Sequence, residues 1–196
     1  MFLVSRVEDT VRIPPNMFGR DLVEVAEIQL REKYENTYDD RMGYVILINK
    51  VEVNPLGKIL SEDGASYHKA KFDVYSFKPV INEIVEGEIV EIANFGVFVR
   101  VGPLDALLHI SQIIDDYVSV DTSQGTVIGR ETNKILRVGD LVRARTVAVS
   151  PPRGASVGKI GLTGRQPFLG KMEWIEEELE RVRAREHEET KAHEGV

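Results

Sequence analysis

Apolar and polar positions change their period along this chain, and the change divides it. Residues 2–13, FLVSRVEDTVRI, are rich in β-branched side chains and predict a strand. Pro14 and Pro15 end it, because proline cannot donate to a ladder. The loop NMFGRD follows. Over residues 21–35, Val23, Ala26 and Leu30 recur at helical spacing beside Leu22 and Val25, which predicts a helix. Asp21 can cap it, and Glu24 stands three residues later as in a capping box. Residues 36–41 read as a polar turn. Residues 43–54 predict a long strand whose first half, 44–48, is apolar on both faces and is expected to be covered on both. Asn54-Pro55-Leu56-Gly57 has turn chemistry. Residues 65–77 predict another strand, with Ala70, Phe72 and Val74 on one face. Strand, helix, strand, turn and strand make a small α+β unit over residues 1–80. It has one helix to cover its sheet, so apolar sheet surface is expected to need a partner.

From Glu88 onward the apolar runs are short and punctuated by glycine: EIVEI, GVFVRV, ALLHI, LVRARTVAV and KIGLT. That spacing predicts a small closed β-barrel over residues 81–170. A Ser/Thr/Asp-rich stretch, 114–133, interrupts it as an insertion. Residues 171–196 predict a charged helix or tail, with Trp174, Ile175, Leu179 and Val182 as a short apolar stripe.

Composition narrows the function. The chain has 196 residues and no cysteine, which excludes a disulfide scaffold, thiolate zinc sites, iron–sulfur clusters and cysteine nucleophiles. A reducing compartment fits, and the cytoplasm is the expected location. No apolar run nears the ~18 residues of a membrane span, so no membrane is expected as a partner. The apolar start of MFLVSRVEDT is too short for a signal peptide. The net charge of −7 argues against a nucleic-acid binder taken whole. The charge is sorted, however. Residues 82–121 hold eight acids and one base, whereas 130–165 hold eight bases and two acids. Such a chain can present a basic surface on an acidic body.

A search for a catalyst finds none. The four histidines, His68, His109, His187 and His193, form no metal-ligand spacing. No phosphate-cradling glycine loop or nucleophile elbow follows a strand. Neither a catalytic residue, a metal nor a cofactor is expected. The informative segment is VEGEIVEIANFGVFVRVGPLDALLHISQI, residues 85–113. Strand alternation sends Val97, Val99 and Val101 inward, and Phe98 and Arg100 outward. It also puts Phe95 and Phe98 on opposite faces unless a bend at residues 94–96 turns both rings to one side. Two readings stand on these residues alone. Either both rings are core, or Phe98 beside Arg100 is a stacking platform for unpaired bases, extended by His109.

The run NFGVFVRVGPLDALLHISQI closely resembles the RNA-binding repeat named after the largest protein of the bacterial small ribosomal subunit, a five-stranded OB fold. That resemblance implies single-stranded RNA across the second and third strands, on Phe95, Phe98 and His109. It also implies basic contacts near the last two strands, by position Arg143, Arg145 and Lys159, with Arg153 in the loop between. The sequence departs from the pattern in its insertion and in Ser150, where an acid or amide is common. Over residues 1–178 the order of domains, the strand GYVILINKVEV, the turn NPLGKI and the ending KIGLTGRQPFLGKMEWIEEE together resemble the E-prime family of archaeal RNA polymerase subunits, counterpart of the seventh subunit of eukaryotic RNA polymerase II. Gly164 and Phe168 are small departures. The resemblance implies a truncated ribonucleoprotein-like first domain, an OB-fold second domain and a non-catalytic stalk subunit. Its implied partners are the small helical F subunit of the polymerase, in a heterodimer, the polymerase core near the clamp, and single-stranded nascent RNA.

Two turns suit docking. Residues 14–19 offer Pro15, Met17, Phe18 and Gly19, and residues 54–58 offer Pro55, Leu56, Gly57 and Lys58. Proline and glycine shape a turn, and its apolar side chains can anchor in a pocket. On the residues alone Phe18 can equally staple the following helix to the sheet. The resemblance favours docking, because that family inserts its tip into the core. Other readings of the whole chain are an exosome cap subunit, a metal-dependent nuclease and a purely structural protein.

Overall fold

The structure, a computed structural model, describes residues 1–60, 62–153 and 158–194, with side chains described through residue 185. The chain forms two compact units, residues 1–78 and 79 onward. The fold is α+β, an α+β domain followed by a closed barrel and a C-terminal helix.

In the first unit β1 (Phe2–Ile13) leads to α1 (Leu22–Tyr34), β2 (Tyr38–Asp39), β3 (Gly43–Val53), β4 (Lys58–Ile59) and β5 (Ser66–Phe77). The antiparallel sheet has the order β1-β5-β3-β2, with β4 also on β5. β1 and β5 pair over their full length, Phe2 opposite Phe77 and Ile13 opposite Ser66. Alternation gives both strands one covered face. There Val11, Ile13, Ala70, Phe72 and Val74 meet Val25, Ala26 and Leu30 of α1 in one core. The Asp21 carboxylate accepts the Glu24 N–H at 2.9 Å and satisfies one orphan donor of the first turn. Val23 stays exposed in that turn.

Two expectations for this unit are corrected. The polar segment 36–41 contains β2, which pairs with β3 and sets Tyr38 against Tyr44 at 5.0 Å. The start of β3 is not covered on both faces. The one helix lies on one side, and Leu47 faces outward and is exposed. Beyond it, Lys50 has φ 51°, and the pairing with β5 shifts between Asn49 and Glu52.

The second unit contains β6 (Ile84–Ala93), β7 (Gly96–Val101), β8 (Leu104–His109), β9 (Val118–Asp121), β10 (Thr126–Gly129), β11 (Ile135–Arg137), β12 (Leu141–Ser150), β13 (Lys159–Thr163), β14 (Gly170–Lys171) and α2 (Met172–Glu194). The ladder β13-β8-β7-β6-β12 closes because β13 also pairs with β12. This is the five-stranded OB barrel. Ile89, Val97, Val99, Ala106, Leu108, Val142, Ala144 and Leu162 fill it. The insertion folds as well: β9, β10 and β11 make a separate antiparallel sheet, with Val127 and Leu136 buried. Ile175 anchors α2, and the Lys134 ammonium sits 5.0 Å from the Trp174 ring. Among the described residues, no helix is long and apolar enough to cross a membrane.

Candidate nucleic-acid interface

Opposed residues in an antiparallel pair share a face. The register therefore builds the outer surface of the barrel row by row. Phe98 lies between Glu91 of β6 and Leu107 of β8, and Gly96 lies opposite His109. Val97, Val99 and Val101 point inward and are buried. The turn between β6 and β7 brings the Phe95 ring around to Phe98, with centroids 6.0 Å apart and planes at 90°. Phe95 is 50% exposed. Both rings are thus on one outer face, and the core reading of the pair does not describe them.

His109 is held in place. The Ser111 N–H donates to its Nδ1 at 3.3 Å, and the Ser111 hydroxyl lies 2.9 Å from the same atom. With Nδ1 accepting, the ring proton is on Nε2, the nitrogen left for a ligand. Gly96 lets β7 run close against the β8 backbone beside the histidine. A Cβ there would stand 2.6 Å from the Leu108 carbonyl oxygen and 3.0 Å from the His109 Cα.

The basic residues divide. Lys159 is exposed on β13, two residues before Gly161, which pairs with Leu107 in the row of Phe98. Arg100 shares the platform face, but its Nε donates to Asp105 at 2.9 Å. Arg143 lies elsewhere, whereas Arg145 stands opposite Thr163 of β13, two residues beyond Gly161. Arg143 is opposite Glu86 and bonds to it at 2.8 Å. Glu86 lies five residues along β6 from Glu91, the neighbour of Phe98. At about 3.3 Å per residue that is about 16 Å. Arg145 donates to the Gln166 side chain at 2.7 Å and to the Asn82 carbonyl at 3.0 Å. Arg153 is exposed between β12 and β13. The structure brings Phe95, Phe98, Arg100 and His109 to one face, sets Lys159 and Arg145 on either side of Gly161 at its β13 edge, and leaves Arg143 apart from them.

Sequence reasoning passed over Leu107, the apolar floor between Phe98 and Gly161, and Arg165. Arg165 donates to the Ser111 carbonyl at 3.3 Å and pairs with Asp115 beside a cleft of about 550 Å³ that includes Tyr117. The outward phase of β8 signals Leu107. Nothing local signals Arg165, whose partners are some fifty residues away in sequence.

The two apolar turns of the first unit also meet at one end. β1 finishes opposite Ser66, and Lys58 of β4 pairs with Tyr67. Residues 14–19 and 54–58 therefore both lie at the start of β5. Met17 packs on the core, whereas Phe18 is exposed. Leu56 is 84% exposed, and Ile59 and Leu60 are exposed beside it. Pro15, Gly19, Pro55, Gly57 and Lys58 frame these side chains and are exposed as well. Among the described residues, no cluster of three or more His, Asp or Glu side chains is placed to hold a metal ion.

Comparison with known proteins agrees with this two-part architecture. Residues 8–64 match the SHS2 domain found in the N terminus of Rpb7p/Rpc25p/MJ0397, and residues 78–160 match the S1 RNA binding domain. The DNA-directed RNA polymerase subunit Rpo7 of Saccharolobus shibatae is 42% identical over 89% of this chain and 97% of its own length. That of Sulfolobus acidocaldarius is 40% identical over 91% and 97%. The DNA-directed RNA polymerase II subunit RPB7 of Saccharomyces cerevisiae is 26% identical over 53% and 62%. The chain belongs to the Rpo7 family of DNA-directed RNA polymerase subunits.

Proposed function

We propose that this chain is a non-catalytic stalk subunit that pairs with the small helical F subunit, docks on the polymerase core near the clamp, and holds single-stranded nascent RNA. The observation that carries the RNA role is the aromatic cluster of Phe95, Phe98 and His109, turned to one open face of an S1-type barrel. Bases stack on such rings with little regard to sequence, and each stack is worth about 1–3 kcal/mol by alanine substitution. Lys159 and the exposed Arg153 follow the phosphates nearest the platform. Arg145, opposite Thr163, adds a phosphate contact at the β13 edge, and Arg143 meets only a strand that continues past β6. Arg100, paired with Asp105, sets the edge of the site. Docking falls to the turns at residues 14–19 and 54–58, with Leu56 and Phe18 as apolar anchors. The working location is the cytoplasm, with the polymerase.

A salt-resolved titration of a short single-stranded RNA tests the reading. Phe95→Ala should weaken binding roughly tenfold, the loss of about one stacked base. Lys159→Ala should lower the salt slope by about 0.7, the share of one phosphate on a single strand. Arg143→Ala should change a short RNA little. Duplex RNA should bind poorly, since its bases are already stacked. Unchanged binding by Phe95→Ala and Phe98→Ala would end the platform reading.

A further inference from the structure

We propose that His68 is a positioning residue for the docking turn: its buried ring holds residues 54–57 in the shape that presents Leu56. The proposal rests on the reading of that turn as the contact with the core. His68 is only 8% exposed, on β5 at the end of the sheet where the turn lies. Its Nδ1 is 2.9 Å from the Asn54 carbonyl oxygen. A carbonyl only accepts, so Nδ1 carries a proton and donates it. Nε2 is 3.1 Å from the Ser66 hydroxyl, which can donate or accept. The ring is therefore satisfied at both nitrogens.

The turn is built onto this ring. The Leu56 N–H donates to the Asn54 side-chain oxygen at 2.9 Å, closing an Asx turn. The Asn54 N–H donates to the Lys69 carbonyl at 2.8 Å. Gly57 lies flat on the imidazole: a Cβ there would be 2.5 Å from both Cε1 and Nε2. Lys58 then pairs with Tyr67 and returns the chain to the sheet. A side chain as exposed as Leu56 gains nothing for folding from a turn held this firmly. It gains for binding, because a pre-shaped turn loses little freedom when it docks. The histidine supplies the shape, and the leucine supplies the contact.

The test uses the full chain paired with the F subunit, titrated against polymerase core that lacks the stalk. Leu56→Asp should abolish docking. His68→Ala should weaken docking about tenfold, or about 1.4 kcal/mol, with single-strand RNA affinity unchanged. Amide exchange at Asn54 and Leu56 should rise while the core amides of Phe72 and Val74 stay protected, which a general loss of stability would not produce. Gly57→Ala, which leaves the histidine in place and pushes the turn off the ring, should weaken docking in the same direction. If His68→Ala fails to fold, Gly57→Ala decides: weakened docking supports the proposal, and normal docking overturns it. If Leu56→Asp abolishes docking while His68→Ala and Gly57→Ala dock normally, the turn is the contact and the positioning role is wrong. If Leu56→Asp docks normally, the docking reading itself fails, and this proposal falls with it.

Discussion

At the scale of single residues, the end of the first sheet that holds the two apolar turns is tied by one charged group. The Arg12 guanidinium donates to both oxygens of Asp63, at 2.7 and 2.5 Å, and the Tyr67 hydroxyl adds a third bond at 2.5 Å. Arg12 first, and then Tyr67, hold the Asp63 carboxyl down at about 2. The unfolded value is about 3.9, so the folded state favours the charged form. Its contribution to stability is present above about 3.9 and is lost as pH falls through about 2. Asp63→Asn should therefore melt below the parent at pH 7, with the gap closing as acid is added across that window. A gap independent of pH would show that the pair contributes nothing through its charge. This group also marks the limit of sequence reading. Nothing around Asp63 names Arg12, fifty-one positions away, as its partner. The same holds for Arg143, whose basic character was legible but whose tie to Glu86 was not. Phe95 and Phe98 were legible as a pair, and only the turn at residues 94–96 decided which face they share.

At the scale of elements, the hairpin β7–β8 carries Phe98, Arg100 and His109 of the proposed site. Its close approach at Gly96 is a stronger constraint than either phenylalanine. A Cβ at residue 96 meets the Leu108 carbonyl at 2.6 Å, and backbone cannot move aside without shifting the ladder. Gly96→Ala should cost stability in the range of overpacked sites, about 1–3 kcal/mol. It should weaken RNA binding as well, because His109 lies directly opposite. Phe95→Ala should weaken RNA binding alone. Denaturant melts beside RNA titrations separate the two patterns, and a Gly96→Ala protein of parental stability would refute this account of the hairpin. The barrel strands could be read because glycines punctuate clear alternation, as in GVFVRV and KIGLT. β9, β10 and β11 could not. Their apolar residues are few, such as Val127 and Leu136, and polar neighbours such as Ser119, Asp121 and Thr126 hide the period. β2 has two residues, too few for any period, and exists because β3 offers it an edge.

For the whole molecule, the open face of the first sheet has two ends with different needs. One end satisfies itself. Arg6 bonds to Glu52 at 2.8 Å and to Asp73 at 2.9 Å, and Lys71 lies 3.7 Å from Glu8. The other end does not. Phe2 rests edge-on against Phe77 at 5.1 Å yet is 67% exposed, Val4 is 63% exposed, and Leu47 is exposed beside them. The strand alternation that sends Val7 and Val11 toward the helix sends these residues away from it. A contiguous apolar patch of this kind usually marks an interface, and in the proposed reading its cover is the small helical F subunit. Expressed alone, the chain should self-associate or bind a hydrophobic dye. Co-expression with the F subunit should yield a dye-silent 1:1 complex. Phe2→Ser with Val4→Glu should lower dye binding and prevent pairing, yet leave the RNA affinity of the barrel intact, because these side chains belong to β1 and take no part in the ladder of β6, β7 and β8. A monodisperse, dye-silent monomer would overturn the assignment of this face, and so would normal pairing by the double variant.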